Sequence, residues 1–133
     1  MRLLHTMLRV VDLEQAIKFY TEAMGMQVLR RKDFPDGRFT LVFIGYGDEK
    51  SHTIVELTHN WDTDSYAQGD AYGHIAVQCD DLEATCARIR SSEGELISEP
   101  HKMKGGPVMA FARDPEGYVI ELLDFDVFDR QSD

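Results

Sequence analysis

Apolar and polar residues are mixed at the start of the chain without a turn residue, and this stretch predicts a strand. The predicted strand covers residues 2–10 and has His5, Met7 and Arg9 on one face, because successive strand side chains point to opposite sides. The apolar positions that follow are three and four residues apart and predict a helix with one buried face. These positions are Leu13, Ala16, Ile17, Tyr20, Ala23 and Met24.

Local signals mark both ends of this helix and the strands beyond it. Asp12 and Gln15 form a capping-box pattern at its start, and Gly25 stands where a left-handed residue would end it. The turn residues Pro35-Asp36-Gly37 separate two strand-like stretches, and a third follows. The strands predicted from these patterns lie near 26–33, 38–46 and 52–60.

The second half of the chain repeats the order of the first. An offset of 69 residues separates His5 from His74, and the same offset separates Asp12-Leu13-Glu14 from Asp81-Leu82-Glu83. Such a repeat indicates two similar modules, so the sequence predicts an α+β fold of two βαβββ modules in tandem. The second set comprises a strand over 72–79, a helix over 81–91, strands near 95–99, 107–113 and 117–124, and a flexible basic loop over 102–107.

The predicted organisation has four segments. The first module covers 1–60, a polar connector covers 61–71, the second module covers 72–125, and an acidic tail covers 126–133. A chain of 133 residues suits one domain or two half-size modules that share a core.

Composition excludes several classes of partner. The net charge of −10 leaves no basic surface of the kind that nucleic-acid binding needs. No apolar run approaches membrane-spanning length, and the N-terminus lacks the apolar segment of a signal peptide, so we expect a cytoplasmic protein without a membrane partner. Cys79 and Cys86 are too few for a disulfide framework and are expected to be buried thiols.

Each module contributes one histidine on its first strand and one glutamate on its last: His5 with Glu56, and His74 with Glu121. Both glutamates stand among aliphatic residues, where a carboxylate is costly to bury unless it is paired or binds a cation. A single such histidine or glutamate is most often structural, but the same pair in both modules favours a shared function. Two imidazoles and two carboxylates would form a neutral divalent metal site that suits six-coordinate first-row metals. The other histidines are interpreted as surface or packing residues: His52, His59 and His101.

Six segments form a more specific combination of residues: 1–10, 16–20, 45–47, 56–61, 71–76 and 114–118. Together they resemble the bacterial glyoxalase I family (lactoylglutathione lyases) of the vicinal-oxygen-chelate superfamily, over about residues 1–124. The last segment, Asp114-Pro115-Glu116-Gly117-Tyr118, would alone indicate only the superfamily. The resemblance implies mixed sheets that curl around a metal site.

The resemblance also implies a ligand set and an assembly. His5, Glu56, His74 and Glu121 are expected to bind one divalent metal ion. The protein is expected to be a homodimer in which the first two ligands come from one chain and the last two from the other. Short chains with histidine as the first ligand are similar to the nickel- or cobalt-activated class, so Ni(II) is expected, with Co(II) next and Zn(II) least favoured.

The family reaction converts the hemithioacetal of methylglyoxal and glutathione into S-D-lactoylglutathione, which detoxifies methylglyoxal. The metal acts as a Lewis acid, while a carboxylate moves a proton between neighbouring carbons through an enediolate. By resemblance Glu121 is the principal base and Glu56 faces the opposite side of the substrate, although the sequence alone does not distinguish their roles.

Glutathione is an anionic peptide, so an acidic protein needs local cations to hold it. The resemblance assigns Arg9 and Asn60 to its γ-glutamyl end and Lys104 to its glycyl carboxylate. One position departs from the pattern, because Asp70 stands where longer glyoxalases have an arginine, and this weakens the assignment at the glycyl end.

Two other classes of function compete with this interpretation. One is a different metal enzyme of the same superfamily, such as an epimerase, an extradiol dioxygenase or an antibiotic-modifying thiol transferase, and these mostly have a single carboxylate ligand. The other is a non-enzymatic drug-binding protein of this fold, which lacks metal ligands. Because function depends on the site rather than the fold, the two histidines and two glutamates favour the lyase.

Overall fold

The computed structural model describes residues 1–102 and 104–124. The predicted tail, 126–133, lies outside the described residues. The chain forms two compact units, Met1–Gly69 and Asp70–Asp133. Among the described residues, no helix is long and apolar enough to span a membrane.

The first unit is a four-stranded mixed sheet with one helix. Its strands have the order β1-β4-β3-β2, in which β1 and β4 are parallel and the other pairs are antiparallel. The elements are β1 (His5–Arg9), α1 (Leu13–Lys18), a π-helical turn (Phe19–Ala23), β2 (Gln27–Phe34), β3 (Phe39–Gly45) and β4 (Ile54–Asn60).

The first strand, His5–Arg9, is shorter than the predicted strand, 2–10. Pairing begins where β4 begins, since His5 lies opposite Ile54. Arg2 lies before this point, and its guanidinium donates hydrogen bonds to the backbone carbonyls of Glu49 and His52. The predicted strand therefore extends beyond the residues that pair with β4.

The helical segment made of α1 and the π-helical turn begins and ends at the predicted residues, but its second part is wider than an α-helix. The Asp12 side chain accepts a hydrogen bond from the Gln15 amide at 3.0 Å, and Gly25 ends the segment with a φ of 74°. The Thr21 hydroxyl donates to the Ile17 carbonyl at 2.8 Å, which competes with the regular backbone bonding. At the end of the segment the amide of Met24 donates to the carbonyl of Phe19, five residues earlier, at 3.2 Å.

The core of the first unit lies between α1 and one face of the sheet. Leu8, Val42, Ile44 and Leu57 face the helix and are buried. The apolar face of the helical segment covers them, as its spacing predicted, although Ile17 is only half-buried and Phe19, which was not among the predicted positions, is buried. Its buried side chains are Leu13, Ala16, Phe19, Tyr20, Ala23 and Met24. His5 and Glu56 lie on the opposite face of the sheet, away from this helix.

The second unit repeats this architecture, which confirms the predicted pair of βαβββ modules. Its sheet has the order β5-β9-β8-β6, with β5 and β9 parallel, and a further short strand, β7, also pairs with β8. Asp81 caps α2 as Asp12 caps α1, accepting a hydrogen bond from the Ala84 amide at 3.0 Å. The elements are β5 (Ile75–Gln78), α2 (Leu82–Arg90), β6 (Glu95–Leu96), β7 (His101–Lys102), β8 (Val108–Arg113) and β9 (Val119–Leu123).

One strand of the second unit is divided where the sequence predicted a single strand over 95–99. The amides of Ile97 and Ser98 both bond to the carbonyl of Phe111, so two residues lie opposite one, as in a β-bulge. Pro100 has no amide to donate to the ladder. Pairing resumes at β7, so His101 and Lys102 belong to a strand, although Lys102 was predicted to lie in a flexible loop.

Candidate metal centre

The first half-site is formed by His5 and Glu56 on neighbouring parallel strands. The register places Met7 opposite Glu56, and His5 lies two residues earlier on the same face. The His5 Nε2 atom is 2.9 Å from the Glu56 Oε2 atom. The histidine side chain is 37% exposed and the glutamate side chain 14%, so the carboxylate is shielded while the imidazole reaches the surface.

The second half-site has the same construction. Ala76 lies opposite Glu121, and His74 lies two residues earlier, just before β5 rather than within the predicted strand 72–79. The His74 Nε2 atom is 3.3 Å from the Glu121 Oε2 atom, and the side chains are 44% and 17% exposed. The repeat seen in the sequence thus reappears as a repeated pair of donors.

An aromatic ring completes each half-site. Phe43 lies opposite Glu56, and its ring meets the His5 imidazole edge-on, with centroids 5.7 Å apart. Phe111 lies opposite Glu121 and meets His74 in the same way at 5.8 Å. Such contacts orient the imidazoles.

The sequence interpretation did not include these two phenylalanines. Phe43 and Phe111 are 68 residues apart, close to the offset between the histidines, so extending the repeat to the middle strands would have found them.

The donor set fits a divalent first-row metal ion. At metal–ligand bond lengths of about 2.1 Å, two neighbouring ligands of a six-coordinate ion lie about 3 Å apart. The nitrogen–oxygen separations of 2.9 and 3.3 Å match this requirement. Within the described part of the chain, no group of three or more His, Cys, Asp or Glu side chains is gathered in metal-binding geometry. Each pair therefore supplies two donors, which is half of the predicted ligand set.

The predicted glutathione-binding residues lie on different elements. Arg9 is the last residue of β1, on the face that carries His5. Asn60 is the last residue of β4, and its amide nitrogen donates to the Tyr66 hydroxyl at 2.9 Å. Lys104 is exposed in the turn between β7 and β8.

The other three histidines bond to groups other than carboxylates. The His52 Nδ1 atom contacts the Ser51 hydroxyl, the His59 Nδ1 atom is 3.4 Å from the Val10 carbonyl, and the His101 Nδ1 atom is 3.0 Å from the Glu99 carbonyl. The contacts of His52 and His101 are to residues one and two positions away, whereas His59 contacts a residue 49 positions away, and none of the three contacts is to a carboxylate.

A tyrosine cluster ties the residues before His74 to the strand that carries Glu121. The Tyr72 hydroxyl donates to the Val119 carbonyl at 2.9 Å, and its ring meets the Tyr118 ring edge-on. Burial, together with the nearby Asp114 carboxylate, raises the pKa of Tyr72 to about 12. Asp114 is itself buried and accepts hydrogen bonds from two amides of its own turn, including that of Tyr118.

We expect Tyr72→Phe to lower the free energy of unfolding by about 1 kcal/mol, because the half-buried Val119 carbonyl loses its donor. Urea unfolding measures this. Because the fold raises the pKa of Tyr72, the protonated phenol contributes its full stability below the ordinary pKa of 10.0. The difference in unfolding free energy between the original protein and Tyr72→Phe should therefore shrink as the pH rises through about 12. Tyr46→Phe is the matched control, since that exposed side chain donates to the Met24 carbonyl far from either glutamate in sequence. Equal stability of Tyr72→Phe and the original protein would contradict the assignment.

Two βαβββ units, each with a histidine on its first strand segment and a glutamate on its last, define a class of metal-binding fold. Residues 2–122 match the Glyoxalase/Bleomycin resistance protein/Dioxygenase superfamily, and the chain belongs to that superfamily. It is 56% identical over 124 residues to the lactoylglutathione lyase of Neisseria meningitidis serogroup A, which covers 92% of this chain and 90% of that protein.

Solved structures agree with this assignment. Glyoxalase I from Zea mays superposes with a TM-score of 0.89 at 44% identity, over 93% of this chain and 44% of that chain. This chain therefore spans less than half the length of the maize protein. The trypanothione-dependent glyoxalase I of Leishmania major has a TM-score of 0.85 at 45% identity, over 99% of this chain and 92% of that chain.

Proposed function

We propose that this protein is a lactoylglutathione lyase, which isomerises the hemithioacetal of methylglyoxal and glutathione to S-D-lactoylglutathione. The observation that carries the proposal is the repeated His–Glu pair, with the same register and the same aromatic neighbour in both units. Relatives at 56% identity with the name lactoylglutathione lyase support the reaction.

The proposed metal centre joins the two half-sites. One divalent ion would be held by His5 and Glu56 of one copy and by His74 and Glu121 of a second copy. Ni(II) is the most favoured ion, Co(II) is next and Zn(II) is least favoured. Each pair offers two donors at the spacing of neighbouring ligands, which supports a site completed by a further pair.

The proposed assembly is a homodimer. The apolar side chains of Leu3, Leu4 and Met7 are exposed around His5. Exposed apolar groups of this size next to a half-site favour burial against another protein surface. A second copy of this chain would both cover them and complete the metal centre.

In the proposed reaction, the bound ion supplies Lewis-acid stabilisation of the negative charge that develops on substrate oxygen. The Glu121 carboxylate removes the proton from the carbon that bears sulfur, and an enediolate forms. It then returns the proton to the neighbouring carbon, while the first carbon becomes the thioester carbonyl. Glu121 is assigned as the base by the resemblance to the family, and Glu56 is the candidate for the opposite face of the substrate.

The proposed substrate contacts follow from charge. With a net charge of −10, the protein needs cations near the site to bind an anionic tripeptide. Arg9, on the same sheet face as His5, is proposed to pair with the γ-glutamyl carboxylate together with Asn60. Lys104, exposed in its turn, is proposed to meet the glycyl carboxylate.

A cytoplasmic location is proposed because Cys79 and Cys86 are free thiols, as expected in a reducing compartment.

The experiment that tests the function follows the ultraviolet absorbance of the thioester product when methylglyoxal and glutathione are mixed with the purified, nickel-loaded protein. We expect thioester to form at a rate proportional to protein concentration. The double variant His5→Ala, His74→Ala is the control, and it should lose this activity. A metal-loaded protein that forms no thioester would contradict the lyase and favour another metal enzyme of the superfamily.

A further inference from the structure

Arg30 lies over the aromatic ring of the first half-site. Its guanidinium carbon is 3.6 Å from the centroid of the Phe43 ring. Two hydrogen bonds to Glu49 hold the guanidinium, Nε to Oε2 at 2.8 Å and NH2 to Oε1 at 3.1 Å. The Phe43 ring also meets the His5 imidazole in an edge-to-face contact. Glu49, Arg30, Phe43 and His5 therefore form a continuous chain of contacts that ends on a proposed metal ligand.

A β-bulge directs Arg30 to this position. Val28 pairs with Ile44, but Arg30 pairs with Phe43, so Leu29 is an extra residue in β2. Without the bulge, Leu29 would lie opposite Phe43 and Arg30 would be on the other side of the sheet. Bulges of this kind re-aim a side chain and are frequent next to active sites.

In the part of the chain that the structure describes, the second half-site has no such cation. Among the described residues, the rings with a cation above them are Phe43, Phe34 and Trp61, and Phe111 is not one of them. The strand opposite Phe111 also contains a bulge, but there the Ser98 hydroxyl accepts a hydrogen bond from the Phe111 amide. The two half-sites thus match in their donors and differ in what holds the aromatic ring.

We propose that Arg30, directed by the bulge at Leu29 and held by Glu49, is a positioning residue that fixes Phe43 and, through it, the imidazole of His5. The inference rests on the proposed metal centre. Fixing a ligand's ring before the ion arrives lowers the entropy lost on binding, and residues that orient ligands in this way affect metal affinity about 10- to 100-fold.

Electrostatics keeps the guanidinium in place. The hydrogen bond to Glu49 raises the pKa of Arg30, and the negative charges of Glu49 and Glu56 add to the effect. A charged, planar guanidinium can stack on a ring and bond to a carboxylate at the same time, whereas a lysine ammonium cannot do both with the same geometry.

The neighbouring residue provides a matched control. Arg31 lies on the same strand, faces the other side of the sheet and pairs with Glu14 at 2.7 Å. Its side chain is 47% exposed, against 53% for Arg30. Loss of either arginine removes one exposed ion pair, with two hydrogen bonds to Glu49 for Arg30 and one to Glu14 for Arg31, and of the two it is Arg30 that lies over Phe43.

The test compares Arg30→Ala, Arg30→Lys and Arg31→Ala in two measurements. Competition with a coloured chelator gives the nickel affinity. Nuclear magnetic resonance of the metal-free protein follows the Overhauser contact between the His5 and Phe43 rings, with the contact between His74 and Phe111 as internal reference. We expect Arg30→Ala to weaken nickel binding about 10-fold and to lose the His5–Phe43 contact, with partial recovery in Arg30→Lys. The His74–Phe111 contact should be unchanged, and Arg31→Ala should alter neither measurement.

Unchanged His5–Phe43 contact in Arg30→Ala, or equal loss in Arg31→Ala, would overturn the inference. If Arg30→Ala does not fold, Glu49→Gln replaces it, since the amide keeps the shape but weakens the hold on Arg30. That variant should lose the same contact, and a preserved contact would count against the proposal. The metal-free measurement stands even if the protein binds no nickel and forms no thioester, so failure of the proposed function is distinguishable from failure of this inference.

Discussion

Replacing Glu121 with glutamine is expected to lower turnover of the hemithioacetal about 10²- to 10⁴-fold, the range that a general base contributes. The amide has the shape of the carboxylate but does not accept a proton from carbon. Position 121 pairs with Ala76 and Phe111 in the sheet, and glutamine can keep this pairing, so β9 should form as in the original protein. Turnover is measured with saturating substrate, and the folded state is checked by circular dichroism.

Glu93→Gln serves as the control for this experiment, because Glu93 is an exposed glutamate of the same unit, outside the helices and strands. It should retain full turnover. If Glu121→Gln keeps substantial activity, Glu121 is not the base, and Glu56 becomes the candidate. The corresponding Glu56→Gln variant then decides between the two carboxylates that the sequence left open.

Removing the metal with a chelator is expected to abolish activity, and nickel or cobalt should restore more of it than zinc. The reason lies in coordination. Two imidazoles and two carboxylates leave room for two further ligands on a six-coordinate ion, whereas zinc prefers four ligands in a tetrahedron. Each half-site presents its nitrogen and oxygen about 3 Å apart, as neighbouring octahedral ligands are.

The measurement is an activity titration of the metal-free protein with each ion in turn. Circular dichroism of the metal-free protein provides the control, since both cores are built from apolar side chains and should persist without metal. A zinc preference would show that the metal class is wrong. Full activity after complete metal removal would contradict the metal centre itself.

Local signals in the sequence were sufficient for the helices and for the order of the elements. Asp12 caps its helix as predicted, and Gly25 ends that helical segment with a positive φ. Asp81, the counterpart of Asp12 in the repeat, caps the second helix, although the predicted range 81–91 counted it as helical. These features depend on residues within one turn of each other, so no distant partner is needed to predict them.

Strand limits and bulges were not predictable in the same way. The ends of β1, the division of 95–99 and the bulge at Leu29 depend on which residues of the neighbouring strand are available. Pairing is a contact between distant parts of the chain, and a change of one position in register reverses every side chain. The sequence of one strand does not show at which residue its partner strand begins.

The sequence by itself determined the repeat, the two helix caps and the His and Glu residues of each half-site, because all of these are residue identities at recurrent spacings. Only the tertiary structure decided that each histidine meets its glutamate within hydrogen-bonding distance, that Phe43 and Phe111 flank them, and that Arg30 lies over the ring of Phe43. The physical reason is that strand register, which no local pattern encodes, sets which side chains share a face and stand opposite one another.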